Sequence, residues 1–245
     1  MSSYNISGKY YNDLTSLVKG EELTWMEIDL IKQILEPGST LLDIGAGTGR
    51  HLIPLFQMGY KVYGIEESDL MLSFFESGKI PFDQLFLVSF WDFNKRGNFS
   101  NSFDLITLFW NTLNELDFTR RDLRKFMIKC KKLLKPNGKI LINSDNPNNF
   151  DYKHLKYNAS SVKDGKTITL FSSVKRFNPF RNLTVTEELI EVKDNNGKII
   201  DKIYSNLKQR WWFKDEITQL AEDMGFRIKG HSIPLNNEMY LELCL

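Results

Sequence analysis

Residues 41–68, LLDIGAGTGRHLIPLFQMGYKVYGIEES, restrict the possible folds more than any other stretch of the chain. Leu41, Leu42 and Ile44 form the short apolar run of a strand buried on both faces, and Gly45, Ala46, Gly47, Thr48 and Gly49 follow with almost no side-chain bulk. Backbone can therefore approach a ligand closely there. Leu52, Ile53, Leu55 and Phe56 then predict a helix, with Pro54 accommodated in its first turn and Gly59 closing it. Residues 61–65, KVYGI, give a second strand whose carboxyl end carries Glu66 and Glu67, where an acid can grip both hydroxyls of a ribose. Strand, glycine turn, helix and strand in this order make half of a nucleotide-binding unit. The fold class is therefore α/β, doubly wound around a mostly parallel sheet.

The glycine spacing separates two ligand classes. A dinucleotide fingerprint is G-x-G-x-x-G, whereas here the spacing is G-x-G-x-G and Arg50 stands where the third glycine belongs. LLDIGAGTGR and VYGIEESDLML closely resemble the two halves of the pattern of the class I S-adenosylmethionine-dependent methyltransferases, with Glu66 in place of the usual aspartate. The resemblance implies a Rossmann-like sheet of seven strands, S-adenosyl-L-methionine as cofactor, and methyl transfer to an acceptor. It puts the backbone of Gly45, Ala46, Gly47, Thr48 and Gly49, together with Arg50, near the methionine moiety, Glu66 on the ribose with Glu67 beside it, and Met71 against adenine. Asp43 would orient the glycine loop or the amino group. Two readings from other classes compete: a non-catalytic protein of the same fold that binds cofactor or scaffolds a partner, and an NAD-dependent reductase.

Further segments extend the resemblance. KYYNDL is similar to a Y-Y-D segment that folds over bound cofactor, which would make Tyr11 a lid residue; an aromatic staple is the competing reading. Residues 23–35 predict an amphipathic helix stopped by Pro37 and Gly38, and Ser68 caps a helix expected to run to 77. Strand three is expected over 85–90. The following SFWDF resembles the end of D-M-R-D-F in the branch holding glycine N-methyltransferase-like and amino-sugar N-methyltransferases. One register brings Ser89 and Phe90 to the adenine ring, the other Trp91 and Asp92. Strand four, over 103–109, ends at Leu108, Phe109, Trp110 and Asn111, the place nearest the methyl group in this fold, with Trp110 and Asn111 on the acceptor side. A helix over 119–134 leads through a K-P-N-G turn to strand five, and SDNPNNFD reads as a loop.

Residues 146–207 have a different texture. KTITLFSSVKRF, LTVTEELIEV and KIIDKIYSNLKQRWW alternate with period two and are joined by Pro179 and an Asn196-Gly197 turn. They predict a small antiparallel β lid over the carboxyl edge of the main sheet, with Arg176 and Arg210 binding substrate; a dimerisation arm is the competing reading. RWWFKDEITQLAEDMGFRI then resembles the family's last helix and penultimate strand, so the core is expected over 1–145 and 208–245.

Composition bounds the partners. Lys and Arg number 32 against 31 Asp and Glu, so no global field draws the chain to nucleic acid, and the lysines of 125–135 alternate with apolar residues as a solvated helix face does. Cys130 and Cys244 are read as reduced thiols, and His51, His154 and His231 lack metal-ligand spacing, so no metal is expected. No signal core or long apolar run is apparent, which predicts a cytoplasmic protein without membrane contact, monomeric or homodimeric, acting on a small molecule. If a base is used, His231, Asp145 and His154 are the candidates. A neutral amine acceptor needs none, which favours nitrogen over oxygen.

Overall fold

The computed structural model describes residues 10, 13, 20–75, 79–116, 119–233 and 238–245. Helix α1 (Gly20–Ile34) precedes strand β1 (Thr40–Ile44), helix α2 (Leu52–Gln57), strand β2 (Lys61–Glu66), the single turn α3 (Asp69–Ser73) and the short strand β3 (Leu85–Leu87). Strand β4 (Phe103–Leu108), the turn α4 (Thr112–Glu115), helix α5 (Arg120–Leu133) and strand β5 (Leu134–Ser144) complete the first half of the main sheet. Its other strands, β10 (Arg227–His231) and β11 (Met239–Cys244), follow helix α6 (Lys214–Asp223). Between the halves lie β6 (Lys156–Lys163), β7 (Lys166–Asn178), β8 (Leu183–Lys193) and β9 (Ile199–Arg210).

The main sheet has seven strands in the order β10-β11-β5-β4-β1-β2-β3. All run parallel except β11, which is antiparallel to both its neighbours. This is the expected doubly wound, Rossmann-like architecture. The apolar stripe of α1 (Ile28, Ile31) and that of α2 (Leu52, Leu55) pack with Leu41, Val62 and Leu105 on one face. On the other face α5 (Leu123, Phe126, Met127) and α6 (Ile217, Leu220) pack with Leu42, Ile106 and Ile140. Strands covered on both faces are rich in apolar residues, as β1 and β4 are apart from Thr40, Asp43, Asp104 and Thr107.

Local chemistry sets the ends of the elements. Thr119 and Asp122 form a reciprocal capping box that starts α5, each side chain accepting a hydrogen bond from the other's backbone N–H. β3 stops at Leu87 instead of continuing to 90, because Ser89 Oγ accepts from Asp92 N and caps a 3-10 turn over Phe90–Arg96. α3 ends at Ser73, short of 77; residues 76–78 lie outside the described set. The K-P-N-G turn is absorbed into the start of β5, with Asn137 at φ 64° and a shift in the β4–β5 register.

The inserted segment forms a four-stranded antiparallel meander, β6-β7-β8-β9. Three of its strands match the alternating runs. The fourth, β6, was not foreseen: KYNASSVK is a polar edge strand, largely exposed, and lacks a clean alternation. Asp164 and Gly165, both at positive φ (48° and 71°), make the tight turn that pairs it with β7.

Candidate active site

Sheets of this kind leave a crevice outside the carboxyl ends of the strands where the order reverses, which here lies between β1 and β4. A cavity of about 320 Å³ occupies that place. Its floor is Asp43, Ile44 and the loop of Gly45, Ala46, Gly47 and Thr48; one side is Ile65, Glu66, Glu67, Met71 and Phe90. Arg50, His51, Phe109 and Trp110 form the opposite side, and Thr112, Glu115 and Leu116 continue it. Asn206, Leu207 and Lys208 of β9, one of the two edge strands of the meander, form the remaining wall.

The floor must be bare. A Cβ on Gly45 would stand 2.6 Å from Thr112 Oγ1, and Gly45 and Gly47 take φ of 78° and 57°, conformations that favour glycine. Glu66 pins this loop: its Oε2 accepts from Gly47 N at 2.9 Å and its Oε1 from Ser68 N at 2.8 Å. Each carboxylate oxygen keeps a further lone pair for a ligand hydroxyl. Burial pushes the Glu66 carboxyl above its ordinary range, against these backbone hydrogen bonds. Asp43 is more strongly affected. Burial raises it to about 7, although Thr107 Oγ1 donates to it at 2.7 Å and Arg50 adds favourable charge.

The side wall hangs on one carboxylate of α1. Glu27 is fully buried; its Oε2 accepts from Arg50 Nη2 at 3.1 Å and His51 Nε2 at 2.8 Å, and its Oε1 from the Tyr240 hydroxyl at 3.0 Å. Arg50 also donates to Thr24 Oγ1 at 2.9 Å and lies over the Trp110 ring, 4.2 Å from its centroid. His51 stacks on Phe109 at 4.3 Å. Its pKa is lowered to about 4, first by burial and then by the Arg50 charge, so at neutral pH the uncharged ring donates Nε2–H to Glu27.

After Phe109 the chain takes two successive non-glycine residues at positive φ, Trp110 at 55° and Asn111 at 59°. Such a pair is strained for bulky side chains, and surrounding hydrogen bonds hold it. Trp110 N donates to Asn143 Oδ1 at 2.8 Å, while Asn111 exchanges two bonds with Asp145, of 2.6 and 2.7 Å.

Several expected site residues lie elsewhere. Gly49 packs against Phe75, where a Cβ would meet the ring at 2.2 Å. Leu108 is fully buried in the core below the cavity. Ser89 is the 3-10 cap, and Trp91 points outward, 45% exposed, leaving Phe90 as the ring on the cavity wall. Asn111 and Asp145 bind each other and are not among the residues that line the cavity. Arg176 is exposed on β7, away from the wall. Arg210 is buried over Trp212, 3.8 Å from the ring centroid, and pairs with Glu216 at 3.3 Å. His154 is exposed and pairs with Asp151, and His231 is tied to Glu242 at 2.6 Å on the far strand pair. Tyr11 lies outside the described residues. Sequence reasoning missed Glu27, His51, Thr112, Glu115, Leu116 and the β9 wall. The histidine directly after Arg50 was the one available signal. Among the described residues no cluster of His, Cys, Asp and Glu is arranged to hold a metal, and no helix is long and apolar enough to cross a membrane.

Crevice, bare loop and acid at the end of β2 belong to a doubly wound, Rossmann-like fold, which the chain shares with solved methyltransferases. Residues 42–140 match the family described as a methyltransferase domain. The chain is 24% identical over 224 residues to Bacillus subtilis (strain 168) protein YqeM, covering 89% of this chain and 84% of that one. It is 31% identical over 139 residues to the glycine/sarcosine N-methyltransferase of Parasynechococcus marenigrum (strain WH8102), covering 56% of this chain and 47% of that one. Among solved structures, the amino pentose methyltransferase CalS10 of Micromonospora echinaspora, determined with S-adenosylmethionine bound, superposes with a TM-score of 0.72 at 19% identity, over 91% of this chain and 90% of that one. DesVI of Streptomyces venezuelae gives 0.73 at the same identity and coverage.

Proposed function

We propose that the protein is an S-adenosylmethionine-dependent methyltransferase acting on a small molecule, at nitrogen in preference to oxygen. The observation that carries this reading is that one cavity is lined by the bare glycine loop, Glu66 and the aromatic pair Phe109 and Trp110. The residues present fit the cofactor. Glu66 offers its remaining lone pairs to the ribose, and Met71 and Phe90 flank the place for adenine. Asp43, a buried carboxyl whose described hydrogen bond comes from Thr107, suits the cationic amino group of the methionine moiety. When bound, the cofactor supplies an electrophilic methyl on a sulfonium. Phe109 and Trp110 are aromatic residues of the lining, and a ring face turned to such positive charge stabilises it by about 0.5 to 2 kcal/mol per contact. β9 excludes water from the opposite side, and alignment in a dry site can contribute up to about 7 to 11 kcal/mol.

Nitrogen is preferred because a neutral amine needs no base, and His154 and His231 stand away from the wall while His51 is committed to Glu27. The N-methyltransferase names of the glycine/sarcosine relative and of other superposable structures favour the same choice. The test is calorimetric titration with S-adenosylhomocysteine, with NAD as control. Micromolar binding of the former alone is expected. Binding of NAD alone would favour the reductase, and transfer of labelled methyl to any acceptor would exclude a scaffold.

A further inference from the structure

The meander carries an acid that the cofactor reading leaves unused. Strand register sets Tyr157 of β6, Ser172 of β7, Glu188 of β8 and Ser205 of β9 in one row across the sheet. Side chains two residues apart share a face. The next row on one side, Leu170, Ile190 and Ile203, is the apolar patch on which Tyr10 packs. The next row on the other side pairs Thr186 with Leu207, and Leu207 lines the cavity. Tyr157, 37% exposed, feels the charges of both Glu188 and Asp145, and Asp145 is bonded to Asn111, whose chain neighbours Trp110 and Thr112 line the cavity. The row thus lies beside the cavity, between its β9 wall and the carboxyl ends of β4 and β5.

Ser205 Oγ donates to Glu188 Oε2 at 3.2 Å. Among the described residues no other donor and no cation reaches this carboxylate. Burial without a counter-charge pushes its pKa upward. Glu188 is half-buried, and a partly desolvated carboxylate without a counter-charge leaves the sheet with a place that a ligand cation would satisfy.

We propose that Glu188, with the hydroxyls of Tyr157, Ser172 and Ser205, forms an acceptor subsite that holds an ammonium group of a small hydroxylated amine, a nitrogen other than the neutral one that takes the methyl group. The three hydroxyls serve the acceptor's own hydroxyl groups as donors or acceptors. The proposal rests on the methyltransferase reading and adds to it the residue that selects a cationic over a neutral acceptor.

The probe is 2-amino-1,3-propanediol, with glycerol as the match in which a hydroxyl replaces the ammonium, followed by saturation-transfer NMR in the presence of S-adenosylhomocysteine. Wild type is expected to bind the amine at least about tenfold more tightly than glycerol, the lower range for a charge-assisted hydrogen bond, and Glu188→Gln to bind the two alike. The variant is also expected to melt at or above the wild-type temperature, because an uncompensated charge is removed while the shape is kept. A wild type without preference for the amine, a variant that keeps the preference, or a variant that melts lower would each overturn the subsite. S-adenosylhomocysteine binding is read separately on both proteins. Its absence from wild type would count against the cofactor assignment, whereas equal binding by both with no amine preference would count against Glu188 alone.

Discussion

Asp43 and His51 flank the glycine loop, and burial acts on them in opposite directions. The Asp43 carboxyl is raised to about 7, chiefly by burial, so between about pH 4 and 7 the folded protein holds a proton that the unfolded chain has released. Folding stability supplied by this group therefore falls as pH rises through that window, by up to about 4 kcal/mol. His51, lowered to about 4, refuses a proton that the unfolded chain takes up below about pH 6.5, so its contribution falls as pH drops, by up to about 3 kcal/mol. The slopes oppose and largely offset each other. Asp43→Asn removes one of them, and its denaturant-unfolding free energy is expected to fall more steeply than that of wild type on acidification below about pH 6.5. Parallel curves would show that Asp43 is not protonated in the fold. An amino group docked on Asp43 requires the carboxylate, so affinity for S-adenosylhomocysteine should rise as pH approaches about 7, by up to about tenfold per unit, and this rise should vanish in Asp43→Asn. Glu66→Ala removes hydrogen bonds worth about 1.5 to 3 kcal/mol and is expected to cost about ten- to a hundredfold in that affinity. Part of this loss will reflect release of Gly47 N, and unchanged calorimetric affinity in a folded variant would refute the ribose assignment.

Helices and strands were readable where a local pattern sufficed. The β1–α2–β2 unit carries its glycines, its apolar periods and its terminal acid within 28 residues, and α5 announces itself by Thr119 and Asp122. β6 gave no such sign, because an exposed polar strand buries too little to require alternation. The cluster around Glu27 was equally hidden: its partners lie 23, 24 and 213 residues away, and only the packing of α1 against the sheet brings them together. The bend at Trp110 and Asn111 lacks the glycine that usually marks positive φ, since Asn143 and Asp145 supply the compensating bonds. The two lid arginines show how period two alone misleads. It places both in strands but does not say which end of the sheet meets the cavity. Arg210→Ala removes a buried stack on Trp212 and an ion pair with Glu216, together about 2 kcal/mol, and should lower the melting temperature by roughly 4–8 °C. Arg176→Ala should leave it within the error of the scan. S-adenosylhomocysteine affinity should be unchanged in both, and a loss in the Arg176 variant would restore that side chain to the site.

The meander and the three-layer body meet at two neighbouring tryptophans. Trp211 donates its indole N–H to Thr184 Oγ1 of β8 at 2.8 Å and packs on Phe150 and Tyr152, while Trp212 is fully buried among the residues that α5 and α6 press against the main sheet. One peptide bond thus joins the core of the meander to the core of the body. At the opposite end of the meander the Tyr10 hydroxyl donates to Asp201 of β9 at 2.9 Å. With cavity walls drawn from both parts, neither can lose its packing without exposing the other. Scanning calorimetry is therefore expected to show one transition, not two. A ligand that binds only the folded state adds about 2.7 kcal/mol at a hundred times its dissociation constant, which for a chain of this size raises the midpoint by roughly 5–10 °C. S-adenosylhomocysteine should produce that shift in the single transition, and NAD should not. A separate low-temperature transition indifferent to S-adenosylhomocysteine would mean that the meander unfolds on its own and that β9 is not a working wall of the cavity.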